Sequence, residues 1–313
     1  MSTRPSRLYA SCRLEVSTVS DKPSIAIIGP GVVGTTLGIL AARAGYEVAA
    51  VAGRSDRHAR AAAERIGPAI RATTAVEAAR AAKLVLLTVP DDAVEPLCQE
   101  LARAGVPGPG AVLAHCSGAL SSEVLTPARR LGAAVGSMHP LQTFPNVAAG
   151  LERAPGAFFF CEGDERAVET LEALARAIGG KAVRITSTDK LLYHAAAVMA
   201  CNYLTALLDA ALTVAGHAGI PPEQALEALQ PLVRATIDNV FAAGPASALT
   251  GPIARGDCRL IDRQYRRLAQ ADARLGELYA AVGLWTVELA LVKGSISPQQ
   301  AERLRKILRH RPS

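Results

Sequence analysis

The sequence has few aromatic residues: five Phe, six Tyr and one Trp in 313, or 4% of the chain. A surface that grips nucleic acid by stacking bases on rings is therefore not expected. The six cysteines, at 12, 98, 116, 161, 201 and 258, include no C-x-x-C pair and no disulfide-like framework of spacings. They read as reduced thiols of a cytoplasmic protein. Residues 1–22 contain no apolar stretch of secretory type, so no signal peptide is expected there. The one long apolar run, Leu191–Gly216, is interrupted by His194, Asn202 and Asp209. Each of these is costly in a bilayer, so the run reads as a buried helix of a soluble core, with no membrane partner. The body of the chain also has no charge excess. The net charge of +6 comes from +2 in residues 1–22 and +4 in residues 301–313, leaving 23–300 balanced at 25 basic and 25 acidic residues. A basic body built to hold nucleic acid is thus excluded. There is no low-complexity linker and no repeat of solenoid length.

Half of the residues are apolar, enough for sizeable cores, and the length suits two domains. Between residues 24 and 140, short continuous apolar runs (25–28, 48–51, 84–89, 112–114) alternate with Ala/Arg-rich helical patterns near 31–44, 56–66, 74–81 and 91–104. Unbroken apolar strands separated by helices indicate a parallel sheet buried on both faces. Residues 157–161 and 181–185, with a helix near 164–178 between them, are expected to extend it. From Ser187 the strands stop, and helical patterns cover 188–216, 222–242, 258–293 and 297–309, the last with Ser297 as N-cap and Pro298 at the first helical position. The expected fold class is α/β: a doubly wound parallel Rossmann sheet over 23–186, followed by an all-helical C-terminal domain over 187–313. Residues 1–22 are expected to be a disordered extension.

Gly29-Pro-Gly31-Val32-Val33-Gly34 follows the first apolar strand and opens a helix. This is the setting in which G-x-G-x-x-G holds a dinucleotide: a tight turn, close backbone approach to the pyrophosphate, close helix packing, and N–H donors at the helix start. After the second strand, where an NAD site carries an acid for the ribose 2′-hydroxyl, the chain has Gly53-Arg54-Ser55 and no acid before Asp56. Arg54 can meet a 2′-phosphate with its planar fork and Ser55 can donate a hydrogen bond, so NADP(H) is the expected cofactor. Two more strand ends face the same crevice. Val89-Pro90-Asp91-Asp92 closes one, where an aspartate either caps the next helix or holds a ribose. His115-Cys116-Ser117-Gly118 closes the other, with Ser117 and Gly118 expected near the nicotinamide. Adjacent His and Cys is not a metal-ligand spacing, and no metal is expected.

Hydride transfer to a carbonyl or imine also needs a proton donor and stabilisation of the developing charge. Lys190 and His194 are four residues apart, on one face of the first long helix, and Asn202 follows two turns later. Polar groups on an Ala/Leu/Met helix are expensive to bury without purpose, which makes these three the catalytic candidates. His139, in Ser137-Met-His-Pro-Leu-Gln-Thr-Phe144 after an expected strand, is a candidate acid or substrate ligand. Arg255, in the Thr250-Gly-Pro-Ile-Ala-Arg-Gly-Asp257 loop, either clamps a substrate carboxylate or pairs with Asp257. The run Arg259, Arg263, Arg266, Arg267 with Asp262 reads as a solvated helix face.

At these motifs, over about residues 23–310, the chain resembles a family that joins a Rossmann domain of the deazaflavin-dependent NADP oxidoreductase type to a helical C-terminal domain of unknown function. The carrying residues are Gly29–Gly34, Gly53–Ser55, His115–Gly118, Met138–Gln142, Asp189-Lys190 with His194 and Asn202, and Thr250–Asp257. More distantly it is similar to pyrroline-5-carboxylate reductase, ketopantoate reductase and 6-phosphogluconate dehydrogenase, whose second domain is all-helical and often dimeric. The resemblance implies NADPH-dependent reduction of a small C=O or C=N compound bearing a carboxylate, with ketopantoate as first candidate. It also implies a homodimer. Lys190 is similar to the lysine that ketopantoate and hydroxyacid reductases place near the start of their helical domain. His194 stands where the hydroxyacid dehydrogenases have the Asn of Lys-x-x-x-Asn. Nothing in the sequence supports a deazaflavin over NADPH. The expected activity is that of an oxidoreductase acting on a small oxo acid. The alternatives are an imine reductase of pyrroline-carboxylate type, in which Lys190 would be dispensable, and a non-catalytic NADP-binding sensor or scaffold.

Overall fold

The computed structural model describes residues 22–310; the reading of residues 1–22 as an extension falls, but for Lys22, outside them. The described chain divides into two compact units, one ending at Ala197 and one starting at Val198.

The first unit is an eight-stranded sheet. Six strands pair in parallel in the order β3 (Arg71–Thr73), β2 (Val48–Ala52), β1 (Ile25–Ile28), β4 (Leu84–Leu87), β5 (Val112–His115) and β6 (Ala134–Leu141). β7 (Phe158–Gly163) then runs antiparallel to β6, and β8 (Lys181–Arg184) lies parallel to β7. The reversal at β7 adds one antiparallel pairing to the parallel sheet read in the sequence. The β6–β7 connection holds only the seven-residue α6 (Val147–Arg153), and Gly150 lies so close to Thr36 that an added Cβ would sit 2.5 Å from its Oγ1. The chain turns back at the edge where β6 ends, and β7 starts there.

Alternation along each strand feeds two cores. Ile25, Ile27, Leu84 and Leu86 pack with residues of α1 (Val32–Arg43), α2 (Asp56–Ile66) and α7 (Glu165–Ala177). Ala26, Ile28, Val85 and Leu87 pack with α3 (Ala75–Ala81), α4 (Asp91–Arg103), and a 3-10 turn (Ser122–Leu125) leading into α5 (Thr126–Arg129). Burial on both faces explains why these strands read as unbroken apolar runs. Three of the first unit's helices start on side-chain caps: Ser55 accepts from the His58 N–H before α2, Thr74 forms a capping box with Glu77 before α3, and Asn146 accepts from the Ala149 N–H before α6.

The second unit is helical. It contains the rest of α8 (Lys190–His217), then α9 (Pro222–Ala243), the short α10 (Pro245–Ala248), α11 (Cys258–Ala271), α12 (Ala273–Lys293) and α13 (Pro298–Arg309). Asp272 breaks the single 258–293 helix of the sequence reading: its side chain accepts from the Arg274 N–H and starts α12 afresh. Ser297 caps α13 in a capping box with Gln300, with Pro298 first in the helix. α11, α12 and α13 share a core of Ile261, Tyr265, Val287, Ala290, Leu304 and Leu308, to which α8 and α9 contribute nothing. The buried-core reading of the long apolar run is therefore corrected: within α8 only Lys190 is buried, and Leu192, Met199 and Tyr203 are exposed. An apolar helix is buried only where a complementary face meets it, and among the described residues only Lys190 of α8 and Ala225 of α9 are buried. By length and composition, α8 and α12 would reach across a bilayer.

Candidate active site

The C-terminal ends of β1, β2, β4, β5 and β6 lie along one edge of the sheet. In open parallel sheets ligands bind beyond this edge, where the strand order reverses, here between β1 and β4. Gly29 follows β1 with φ +96°, and an added Cβ would stand 2.6 Å from Val89 Cγ1 and 2.8 Å from the Thr88 carbonyl carbon. The missing side chain thus lets the β1 turn close on the end of β4. At Gly34 a Cβ would be 2.2 Å from Thr88 Oγ1, so α1 lies tightly against the same strand end. Gly31 is the opposite case: nothing lies within 4 Å of its would-be Cβ. It is also the N-cap of α1 and gives no side-chain cap, so no side chain occupies the donor groups of the first turn, where Val32 and Val33 stand. Open space, uncapped N–H groups and a helix start favour an anion here.

At the end of β2, Arg54 is exposed and its guanidinium has no partner among the described residues. Asp56, the nearest acid, is bound to Arg60 at 2.8 Å. Gly53 lies close against Pro30, whose Cδ would be 2.9 Å from a Cβ there. The Ser55 hydroxyl is engaged as the cap of α2. Pro90, not an aspartate, is the N-cap of α4, and neither Asp91 nor Asp92 makes a capping bond. Both are exposed in the first turn. The donor set therefore fits a dinucleotide: open space and uncapped N–H groups at the start of α1, and after β2 a guanidinium without a partner among the described residues.

β6 overshoots β5. The two pair from Ala134 to Ser137, and Met138–Leu141 continue beside β7 alone. His139 therefore lies in a strand, not in a turn after one, opposite Phe160 and beyond the end of β5. Its Nδ1 is 2.7 Å from the Tyr193 hydroxyl, and its ring meets that of His194 edge-on at 5.8 Å. Gly118 completes the group: a Cβ there would fall 2.5 Å from His194 Nδ1 and 2.9 Å from His139 Nε2. The His194 Nδ1 is buried without a hydrogen-bond partner, a costly state that calls for an explanation. Burial, with His194 and Lys190 nearby, pulls the His139 pKa down to about 4, and burial pushes the Tyr193 hydroxyl up. At neutral pH the pair is an uncharged imidazole bonded to an un-ionised phenol.

The loop carrying Gly118 is bonded at both ends. His115 is fully buried; its Nδ1 accepts from the Ser117 N–H, and its Nε2 is 3.2 Å from the Ser121 carbonyl. Those partners make Nε2 the protonated nitrogen. Burial, then Lys190, lowers the pKa of His115 to about 4. Ser117 Oγ accepts from the N–H groups of Ala119 and Leu120.

Of the three catalytic candidates from the sequence, Lys190 and His194 belong to the first unit and Asn202 to the second. Lys190 is 1% exposed, with its ammonium turned into the protein. His194 faces His139 and Gly118. Asn202 is an exposed residue of the second unit without a side-chain partner among the described residues. Arg255 is also exposed there and has no ion-pair partner among them; Asp257 caps α11 through the Leu260 N–H. Sequence reasoning passes over Tyr193, which stands beside His194, and Glu162, a buried acid that follows the apolar Phe-Phe-Phe-Cys run. An ionisable residue continuing an apolar strand was the available signal for Glu162; for Tyr193 there was none, because its partner is 54 residues away.

Comparisons with known proteins find a Rossmann-like domain at the start of the chain and similar folds among solved structures. A Rossmann-like domain model matches residues 14–140, and a model for a domain of unknown function (DUF2520) matches 157–286. Among solved structures, protein TM1727 from Thermotoga maritima is 26% identical, with a TM-score of 0.68 over 86% of this chain and 99% of its own. A provisionally assigned NADP oxidoreductase from Bacteroides fragilis is 24% identical, with a TM-score of 0.67 over 85% and 98%. An imine reductase from a Pseudomonas species is 18% identical, with a TM-score of 0.58 over 92% and 93%. No curated protein matches the sequence.

Proposed function

We propose that this chain is a cytoplasmic NADP(H)-dependent oxidoreductase that reduces a small carbonyl substrate bearing a carboxylate, with ketopantoate as the first compound to try. The observation that carries the reading is the uncharged His139–Tyr193 pair, meeting His194 at Gly118 on the sheet edge that also holds the open glycine cradle. The cradle and Arg54 would hold the dinucleotide, whose nicotinamide supplies the hydride when bound. His139 is the proton donor: Nε2 faces Gly118, and the Tyr193 hydroxyl, donating to Nδ1, keeps the ring proton on Nε2. His194 Nδ1, buried and unpaired, is completed by a polar atom of the substrate. A neutral donor at this position contributes about 10²–10⁴-fold to such a reaction.

The burial of Lys190 favours a second reading, the reduction of an imine of pyrroline-carboxylate type. A site without a free ammonium does not repel an iminium substrate, and an amine product needs less help from an acid.

The active form is a homodimer joined through the helical unit. Supporting this are the exposed Phe241, Leu232 and Leu226 of α9, the exposed Met199 and Tyr203 of α8, and an apolar groove of about 1230 Å³ between Leu208, Val233, Leu260 and Val282. Exposed apolar surface of this kind marks an interface, and a face and groove on one chain suit two-fold pairing.

The test is NADPH oxidation by the purified protein with ketopantoate and with a pyrroline carboxylate, with NADH as control. Arg54→Ala should weaken NADPH binding about tenfold or more and leave NADH unchanged, since it removes a charged phosphate contact. Tight NADPH binding with no turnover on any oxo or imino acid would reject the enzyme reading in favour of a non-catalytic sensor.

A further inference from the structure

The most buried charge in the first unit lies just behind the proposed site. Lys190 and Glu162 are 1% and 2% exposed at the side chain and stand 3.4 Å apart. Lys190 donates to the Leu120 carbonyl, to Ser137 Oγ and to Glu162 Oε1, so its three protons have three protein acceptors. Glu162 accepts in turn from the Ser122 N–H at 2.9 Å, from Ser122 Oγ at 2.8 Å and from Ser137 Oγ at 2.7 Å. Burial lowers the Lys190 pKa while Glu162 opposes that shift.

These bonds join four pieces of chain: the loop after β5 at Leu120 and Ser122, β6 at Ser137, β7 at Glu162, and the first residue of α8. Each piece carries or adjoins a member of the proposed site. Leu120 is two residues from Gly118, Ser137 two from His139, Glu162 two from Phe160, and Lys190 three and four from Tyr193 and His194. A buried lysine whose protons are all engaged by protein has none to give a substrate. It can, however, fix where its helix begins.

We infer that Lys190 is a positioning residue: with Glu162 it forms a buried lock that pins the start of α8 to the 117–122 loop and so holds His194 and Tyr193 against Gly118 and His139. The inference rests on the proposed reductase site for its purpose, but the lock itself is a claim about the fold. Moving the α8 N-terminus away from the loop would expose or strand a charge, which is the strongest local penalty available. This differs from the catalytic part for which the sequence makes Lys190 a candidate. A donor must reach the substrate, and Lys190 reaches only protein.

Two arms of the experiment need no activity. In the native protein, an amine-reactive ester should label the exposed Lys83 and Lys181 and leave Lys190 unmodified; rapid labelling of Lys190 would overturn the lock. Lys190→Met leaves Glu162 unpaired, whereas Lys190→Met with Glu162→Gln removes both charges and keeps the side-chain volumes. The double variant should melt higher than the single one, and its amides at 117–122 and in the first turns of α8 should exchange at least about tenfold faster than the native ones. Native-like exchange in the double variant would overturn the proposal.

The third arm separates positioning from catalysis. NADPH affinity of the double variant should stay within about twofold of native. Its kcat should fall about 10–100-fold, the scale of a lost ångström of alignment, with the pH dependence of kcat keeping its shape. Loss of one limb of that pH profile, with a fall beyond about 10³-fold, would make Lys190 the acid itself and overturn the proposal. If the native protein turns over no substrate, the reductase reading falls, while labelling, melting and exchange still decide the lock.

Discussion

Gly118 is the position on which the site turns. An added Cβ would strike His194 Nδ1 at 2.5 Å and the His139 ring at 2.9 Å, so Gly118→Ala must push at least one imidazole aside. The expected result is a kcat lowered about 100-fold with NADPH affinity kept, because the cradle lies on other strands; a variant with native kcat would remove His139 and His194 from the reaction. Two buried histidines, His115 and His139, give the protein an acid-side weakness. His115 and His139 each have a pKa near 4 in the folded chain against an ordinary 6.5, so the unfolded chain binds more protons between those values. Their stabilising effect is complete above pH 6.5 and is lost as pH falls from 6.5 toward 4, by up to about 3 kcal/mol for each histidine. Thermal melts from pH 7.5 to 4.5 should show the fall. His139→Gln should flatten part of it, and a melting temperature unchanged across that range would contradict the burial argument.

At the level of elements, the cradle depends on how closely α1 approaches β4. Thr88 Oγ1 donates to the Gly29 carbonyl at 2.6 Å, tying the glycine turn to the neighbouring strand end. A methyl at Gly34 would sit 2.2 Å from that hydroxyl and 2.8 Å from the Gly29 carbonyl oxygen, one of them backbone and unable to retreat. Gly34→Ala should cost about 1–3 kcal/mol of stability and lift α1 off the turn. Chemical denaturation would measure the first effect and NADPH titration the second. Gly31→Ala meets nothing in the protein, so it should leave stability nearly intact while blocking the pyrophosphate. Equal effects of the two substitutions on stability would mean that the cradle's packing is misassigned.

For the molecule as a whole, charge and apolar surface point the same way. Residues 23–300 carry no net charge, so partners are not drawn in by a general field. The second unit keeps large side chains in solvent, with Phe241 85% and Trp285 76% exposed. α8, at 28 residues, presents about 42 Å of apolar helix at 1.5 Å per residue. Light scattering should report twice the chain mass, and Phe241→Asp with Leu232→Asp should return the protein to a monomer. A monomeric native protein that partitions into lipid vesicles would instead assign these helices to a bilayer.

The sequence by itself determined the parts whose cause is local. Apolar runs that must be buried on both faces marked β1, β2, β4 and β5; the glycines of 29–34 marked the turn; Ser297 and Pro298 marked the start of α13. Each is a matter of a few adjacent residues meeting a backbone requirement, and such requirements are written in order along the chain. Tertiary structure decided the rest. The direction of β7 depends on where α6 packs against α1. Lys190 and His194 share a helix face in sequence, yet one ends on Glu162, 28 residues away, and the other on Gly118 and His139. The partner of His139 is Tyr193 across 54 residues. Whether a polar side chain becomes a buried lock or a proton donor depends on which acceptors the fold brings to it, and no spacing along the chain carries that information.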